Sequence, residues 1–160
     1  MRMSDTIIAG EALLGRSGHE AGRALLARLY RQHFGDEMPE ILREDGGKPY
    51  FSTGSVHFSI THTKGHVFCV LASRPVGIDA EELTRPVKDS LAQRVLSPTE
   101  YAQYQAAPDK NRAFLTFWVL KEAAAKATGE GIRGFPNKTN FSLDDPRVQE
   151  IDGCLVAVIY

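Results

Sequence analysis

The sequence is poor in the features that announce most functional classes. It has two cysteines, Cys69 and Cys154, and nothing in their spacing points to zinc. Each sits in an apolar run (67–72 and 154–160), so two buried free thiols in a reducing compartment are the preferred reading over a disulfide. Net charge is −1, which gives no bulk attraction to nucleic acid or membrane. No Gly-x4-Gly-Lys-(Ser/Thr) loop occurs, and its absence argues against a nucleotide hydrolase of that type. The first ten residues carry one basic residue and a short apolar stretch, unlike a signal peptide or membrane span. Cytoplasm is therefore the expected location. The 160 residues, 42% hydrophobic and 24% charged, fit one globular domain, 1–160, able to bury a core without disulfides.

Apolar spacing predicts a first helix over 11–34, with Gly35 as its stop and Gly15, Gly18 and Gly22 weakening its first half. Residues 38–47 read as irregular, with Gly46-Gly47 a turn. Residues 56–60 alternate and 67–73 are apolar, so Thr63-Lys64-Gly65 between them predicts a hairpin. A third strand covers 76–81. Ser97-Pro98-Thr99-Glu100 has the form of a capping box opening a second helix. A third helix spans 111–128, ended by Gly129 and Gly131. Phe141-Ser142-Leu143 and 155–160 read as strands, with Asp152-Gly153 as turn residues. A helix, an irregular stretch, a Phe-Ser strand and an apolar strand occur twice in that order; internal duplication and chance both account for so short a likeness. Duplication would set an active site between the halves.

Chemistry concentrates in three stretches. Alternate strand residues share a side, so Asp79 and Glu81 project together from an apolar strand. Two close carboxylates repel unless a cation lies between them, and hard oxygen donors suit Mg²⁺. A strand running out into a solvated turn beside Glu82 is the plainer alternative. On the third helix Trp118, the sole tryptophan, Glu122 and Lys126 follow at i, i+4 and i+8, with Lys121 near the same arc. An ordinary Glu-to-Lys surface pair explains Glu122 and Lys126 equally well taken alone. His62 follows a strand at the hairpin and Lys48 lies between glycine and proline; each is either phosphate-facing or simply exposed.

Taken in order, the motifs resemble a family. Gly47-Lys48-Pro49, Phe58-Ser59-Ile60-Thr61-His62-Thr63, Gly77-Ile78-Asp79-Ala80-Glu81 and Trp118-Val119-Leu120-Lys121-Glu122-Ala123-Ala124-Ala125-Lys126 are similar to the motif series of the 4′-phosphopantetheinyl transferases, closer to the surfactin-synthetase type. The resemblance runs from about Gly47 to Ile132. It implies an α+β fold, with two pseudo-symmetric helix-plus-antiparallel-strand halves if the duplication is real. It implies transfer of 4′-phosphopantetheine from coenzyme A, the donor substrate, to a serine of an acyl or peptidyl carrier protein, with Mg²⁺ as cofactor and adenosine 3′,5′-bisphosphate released. Such an enzyme is a holo-[acyl-carrier-protein] synthase in the broad sense.

By the same resemblance Asp79, Glu81 and Glu122 hold the metal, and Glu122 and Lys126 are catalytic. The coenzyme A set comprises Arg23, Lys48, Pro49, Thr61, His62 and Lys121: His62 at the phosphates, Lys48 and Pro49 by the adenine. Glu100 occupies a place from which some members approach the metal, but its capping role explains it. Arg85, Lys88 and Arg94 follow the metal motif and offer a basic face to an acidic carrier. The chain is short at both ends beside surfactin-type members, lacks their N-terminal basic cluster for the 3′-phosphate, and replaces Ser-His-Ser with Thr61-His62-Thr63. Small members build sites across subunits, so a homo-oligomer is compatible. A non-catalytic relative that binds coenzyme A or a carrier protein is the alternative reading.

Overall fold

Helix α1 covers Gly18–Phe34, and Ile7–Ala12 ahead of it is a strand, β1; the first helix thus begins later than its apolar spacing predicts. A computed structural model describes residues 6–45, 47–129 and 139–160. The late start has a local cause. Leu14 and Gly15 both take positive φ, 52° and 80°, a left-handed turn that no α-helix contains. Ser17 then caps the helix by accepting from the Glu20 N–H, and Gly35 ends it in the left-handed conformation.

Two-residue strands β2 (Ile41–Leu42) and β3 (Tyr50–Phe51) pair within and just after the stretch read as irregular; Gly46 of the expected turn lies outside the described residues. Strands β4 (His57–His62) and β5 (His66–Ala72) form the expected hairpin through Thr63-Lys64-Gly65. Strand β6 is Gly77–Glu82. Helix α2 (Asp89–Val95) is an element beyond those predicted from sequence. Helix α3 (Pro98–Ala106) opens on the complete Ser97/Glu100 capping box, with Pro98 in its first turn. Helix α4 (Lys110–Thr128) ends at Gly129 in the left-handed conformation; Gly131 lies outside the described residues. Phe141-Ser142-Leu143 is not a strand. The Phe141 N–H donates to Glu100 Oε2 at 2.8 Å and not to a strand partner, so the likeness to Phe58-Ser59 does not extend to secondary structure. The following strand is β7 (Val148–Ile151), which turns through Asp152-Gly153, φ 50° and 77°, into β8 (Cys154–Ile159).

Beside the β2-β3 pair, the other six strands of the described residues make two antiparallel sheets of three, ordered β1-β5-β4 and β6-β8-β7. Alternation along β5 sends Val67, Cys69 and Leu71 to a core with Leu25, Leu26 and Leu29 of α1. Phe68, Val70 and Ala72 face the other way, onto Ile78, Ala80, Val156 and Val158. Leu155, Ala157 and Ile159 in turn pack on Phe114, Phe117 and Leu120 of α4. The layers are helix, sheet, sheet, helix, an α+β architecture. Because β5 and β8 are buried on both faces, they read as apolar runs and not as alternating strands. Cys69 and Cys154 are buried and unpaired.

Edge strands β4 and β6 meet side by side. The Ile78 N–H donates to Ser59 Oγ at 3.1 Å, and Thr61 Oγ1 donates to Asp79 Oδ1 at 3.3 Å. Gly77 sets the depth of β6 against α4: a Cβ there would stand 2.0 Å from the Ala123 carbonyl oxygen and 2.5 Å from the Ala127 nitrogen. Both obstacles are helix backbone, which cannot yield as a side chain would. Gly77→Ala should therefore cost about 1–3 kcal/mol, a fall of about 3–10 °C in melting temperature. An unchanged melting curve would mean that β6 and α4 are not so closely packed.

Candidate active site

Strand β6 and helix α4 bring three carboxylates and a lysine to the β4–β6 junction. Asp79 is 7% exposed. Its Oδ1 accepts from Thr61 and lies 3.3 Å from Lys126 Nζ, while Oδ2 is buried with no hydrogen-bond partner among the described residues. Lys126 also donates to the Ile78 carbonyl at 3.0 Å and to the Ile60 carbonyl at 3.5 Å, so one ammonium ties both edge strands. Burial pushes the Asp79 carboxyl up to about 7; Lys126 opposes the rise, and Glu122 and Glu81 add to it. Burial likewise raises half-buried Glu122, with Lys126 opposing and Glu81 adding. Glu122 accepts no hydrogen bond among the described residues. Glu81 Oε1 accepts from Arg85 Nη1 at 2.6 Å and from Trp118 Nε1 at 3.1 Å.

Three carboxylates near enough to disturb one another, one with an orphaned buried oxygen, describe a place short of positive charge. Their all-oxygen donor set fits a hard divalent cation such as Mg²⁺. Their donor atoms do not close to within 4.8 Å of one another. Asp79 is drawn to Lys126, and Glu81 to Arg85 and Trp118.

Beside this cluster a cleft of about 380 Å³ runs between α1 and the end of α4. Arg23, Lys48, Pro49, His62 and Lys126, all expected from sequence, line it; so do His19 and Arg43, which were not. No acidic side chain is among its described lining residues, which include basic and imidazole groups besides Lys126, so the described wall suits a polyanion. Lys48 donates from Nζ to the Val76 carbonyl, and burial, helped by repulsion from Lys126, lowers its ammonium to about 8. Gly18 opens room for His62, since a Cβ there would meet the imidazole at 2.4 Å. A second cleft of about 580 Å³ is lined by His62, Thr63, Lys64, Glu81 and Arg85 among others. His62 is common to both. His19 and Arg23 follow at i and i+4 on α1, and Arg43 lies five residues before Lys48. Those spacings were the available signal for the missed pair, but the glycines of α1 and the irregular 38–47 stretch concealed it.

Two expected coenzyme A residues stand elsewhere. Thr61 is buried beneath the cleft, orienting Asp79. Lys121 points into the core, its Nζ 2.8 Å from Glu100 Oε1 with side-chain exposures of 2% and 0%, and donates to the Thr139 carbonyl at 2.7 Å. Glu100 in turn accepts from the Ser97 and Phe141 N–H groups. Removing one partner of a buried pair strands the other charge, at about 3–5 kcal/mol. Lys121→Ala should thus lower the melting temperature by about 10 °C and leave coenzyme A affinity, measured calorimetrically on the folded variant, little changed. A large affinity loss without a stability loss would restore Lys121 to the ligand site.

The comparisons with known proteins agree with these motifs. The family model described as the 4′-phosphopantetheinyl transferase superfamily matches residues 75–155, just over half of the chain. The chain belongs to this superfamily. The 4′-phosphopantetheinyl transferase HetI of Nostoc is 36% identical over 123 residues, covering 70% of this chain and 52% of the relative. A 4′-phosphopantetheinyl transferase of Bacillus subtilis is 37% identical over 92 residues (56% and 41%), and Sfp of Bacillus subtilis is 32% identical over 114 (69% and 49%). The chain therefore spans about half the length of the curated relatives it matches.

Proposed function

We propose that this chain moves the 4′-phosphopantetheine group of coenzyme A onto a serine of an acyl or peptidyl carrier protein in the cytoplasm, releasing adenosine 3′,5′-bisphosphate. The observation that carries the reading is the meeting of two clefts at His62, one of them cationic, beside Asp79, Glu122 and Lys126. The cationic cleft suits the nucleotide bisphosphate, with Lys48 and Pro49 at its adenine end and Arg23 and Arg43 adding positive charge for a 3′-phosphate. The second cleft, holding Glu81, leaves the approach for the carrier serine.

Asp79, Glu81 and Glu122 would hold a Mg²⁺, which would supply neutralising charge and polarisation to the pyrophosphate. The chain's own residues do the rest. His62 and Lys126 hold phosphate oxygens, and Lys126 acts most where charge grows in the transition state. Glu122 receives the serine proton. Thr61 fixes Asp79 by its hydroxyl, and Trp118 and Arg85 fix Glu81. Transfer of this kind depends on positioning and charge more than on covalent help.

Apo acyl carrier protein incubated with the chain, coenzyme A and Mg²⁺ should gain the mass of one phosphopantetheine group. Coenzyme A binding with no mass gain would establish a non-catalytic binder instead. No described helix is long and apolar enough to cross a membrane. For the carrier surface, exposed Arg94 on α2 is the test position. Reversing its charge should raise KM for carrier several-fold at low salt and less at high salt. A change confined to KM for coenzyme A would remove Arg94 from the carrier face.

A further inference from the structure

We propose that His66, Glu82 and Cys154 form a second cation site, of the zinc class, separate from the Asp79 cluster. It goes beyond the transferase reading and does not rest on it. The residues are far apart in sequence, and strand register gathers them. Glu82 of β6 lies directly opposite Cys154 of β8 in the antiparallel ladder. His66 opens β5 on the face that carries Phe68 and Val70, which packs on Ile78, Ala80, Val156 and Val158. The three therefore close one end of the core between the sheets. Alternation along β6 turns Glu82 away from Asp79 and Glu81.

The geometry approaches that of a metal tripod. The donor atoms Nδ1, carboxylate oxygen and Sγ all lie within 4.8 Å of one another, and His66 Nδ1 is 3.4 Å from Glu82 Oε1. Tetrahedral zinc, with bonds of about 2.0–2.3 Å, needs donors about 3.3–3.8 Å apart. The histidine–carboxylate edge has that length already, and the others close with side-chain adjustments of about an ångström.

Glu82 is held for the role. Its Oε1 accepts from the Gly65 N–H at 2.9 Å and the Thr63 hydroxyl at 3.1 Å, the outer-shell support that orients ligating carboxylates. The Thr63 hydroxyl itself accepts from the Gly65 and His66 N–H groups and reaches the Cys154 sulfur. A mixed nitrogen, oxygen and sulfur set selects zinc-like ions over Mg²⁺. Three protein ligands leave one position for water, and Glu82 of the three also lines the neighbouring cleft with Thr63 and Arg85. Cys154 would bind as thiolate, releasing its proton to solvent. Such an ion would staple the hairpin carrying His62 to the strand carrying Glu81, fixing the wall between the two clefts.

Cobalt titration of the whole chain tests this. A near-ultraviolet thiolate-to-cobalt band should grow to one equivalent, persist in Asp79→Asn and vanish in Cys154→Ser. Zn²⁺ should erase the band by displacement and raise the melting temperature. No band, a band surviving in Cys154→Ser, or no thermal shift with Zn²⁺ would overturn the site and leave these residues as a hydrogen-bonded cap on the core. Should Cys154→Ser fail to fold, His66→Gln changes a side chain 24% exposed. It must weaken cobalt binding at least tenfold, and undiminished affinity would refute the proposal.

Discussion

Asp79→Asn should stop transfer and, without metal, flatten a pH dependence of stability that the parent protein shows. The substitution keeps the shape of the side chain and removes its charge. In the folded chain burial lifts the Asp79 carboxyl from an ordinary 3.8 to about 7. A raised carboxyl binds its proton more tightly folded than unfolded. Below 3.8 both states are protonated and the group is neutral in its effect. As pH rises through the window toward 7, the unfolded chain ionises freely while the folded chain resists, and stability falls. Above about 7 the full cost of a buried, under-compensated carboxylate is present.

The metal-free parent should therefore lose melting temperature between about pH 4 and pH 7, and the asparagine variant should lose much less. Mg²⁺ added to the coenzyme A-bound protein should restore the parent at neutral pH and shift the variant much less, since a ligand stabilises only the state that binds it. Transfer should fall at least about a hundredfold, as when one preorganised electrostatic partner of a transition state is removed. Equal pH slopes in parent and variant would show that Asp79 is not the strained carboxylate described. Near-normal turnover would remove it from the site.

The parts of this site that the sequence makes legible are those whose geometry follows from a single element. Asp79 and Glu81 share a side because β6 is a strand, and Trp118, Glu122 and Lys126 share a stripe because α4 is a helix. The capping box at Ser97 and the hairpin at Thr63-Lys64-Gly65 are local in the same sense. What escaped the reading depends on contacts between elements. Lys121 looks like a site residue on the helical wheel, and only the position of α3 reveals that its arc faces Glu100. Arg43 reaches the cleft because of the small β2–β3 ribbon, whose two-residue strands leave no periodicity to detect. Phe141-Ser142-Leu143 reads as a strand, yet the Phe141 N–H donates to a buried carboxylate from α3. Gly77 looked like a motif letter; its reason is the helix backbone 2.0 Å from its missing Cβ.

Glu122→Gln and Lys126→Ala should each lower kcat by about two to four orders of magnitude, the range of a positioned proton acceptor or charge partner. Glu122 keeps its size as glutamine and loses its charge, and with it both proposed roles, as a donor for the cation and as the acceptor for the serine proton. KM for carrier should move much less, because the proposed mechanism places both groups at the reacting phosphate and not against the carrier. Lys126 has a second duty that an exposed i, i+4 pair would not have. Its ammonium bonds the Ile78 carbonyl at 3.0 Å and Asp79 at 3.3 Å, and it reaches the Ile60 carbonyl on the neighbouring strand. Lys126→Ala should accordingly cost some stability as well as rate, and it should raise the Asp79 proton affinity further by removing the charge that opposes the rise. The losses in the double variant should be less than additive, since the proposed mechanism has both residues serve one reacting phosphate. Single-turnover rates of the two variants and their combination, with melting curves of each, separate these effects. Wild-type kcat in both single variants would make α4 plain scaffold, and additive losses would mean that Glu122 and Lys126 act at different points of the reaction.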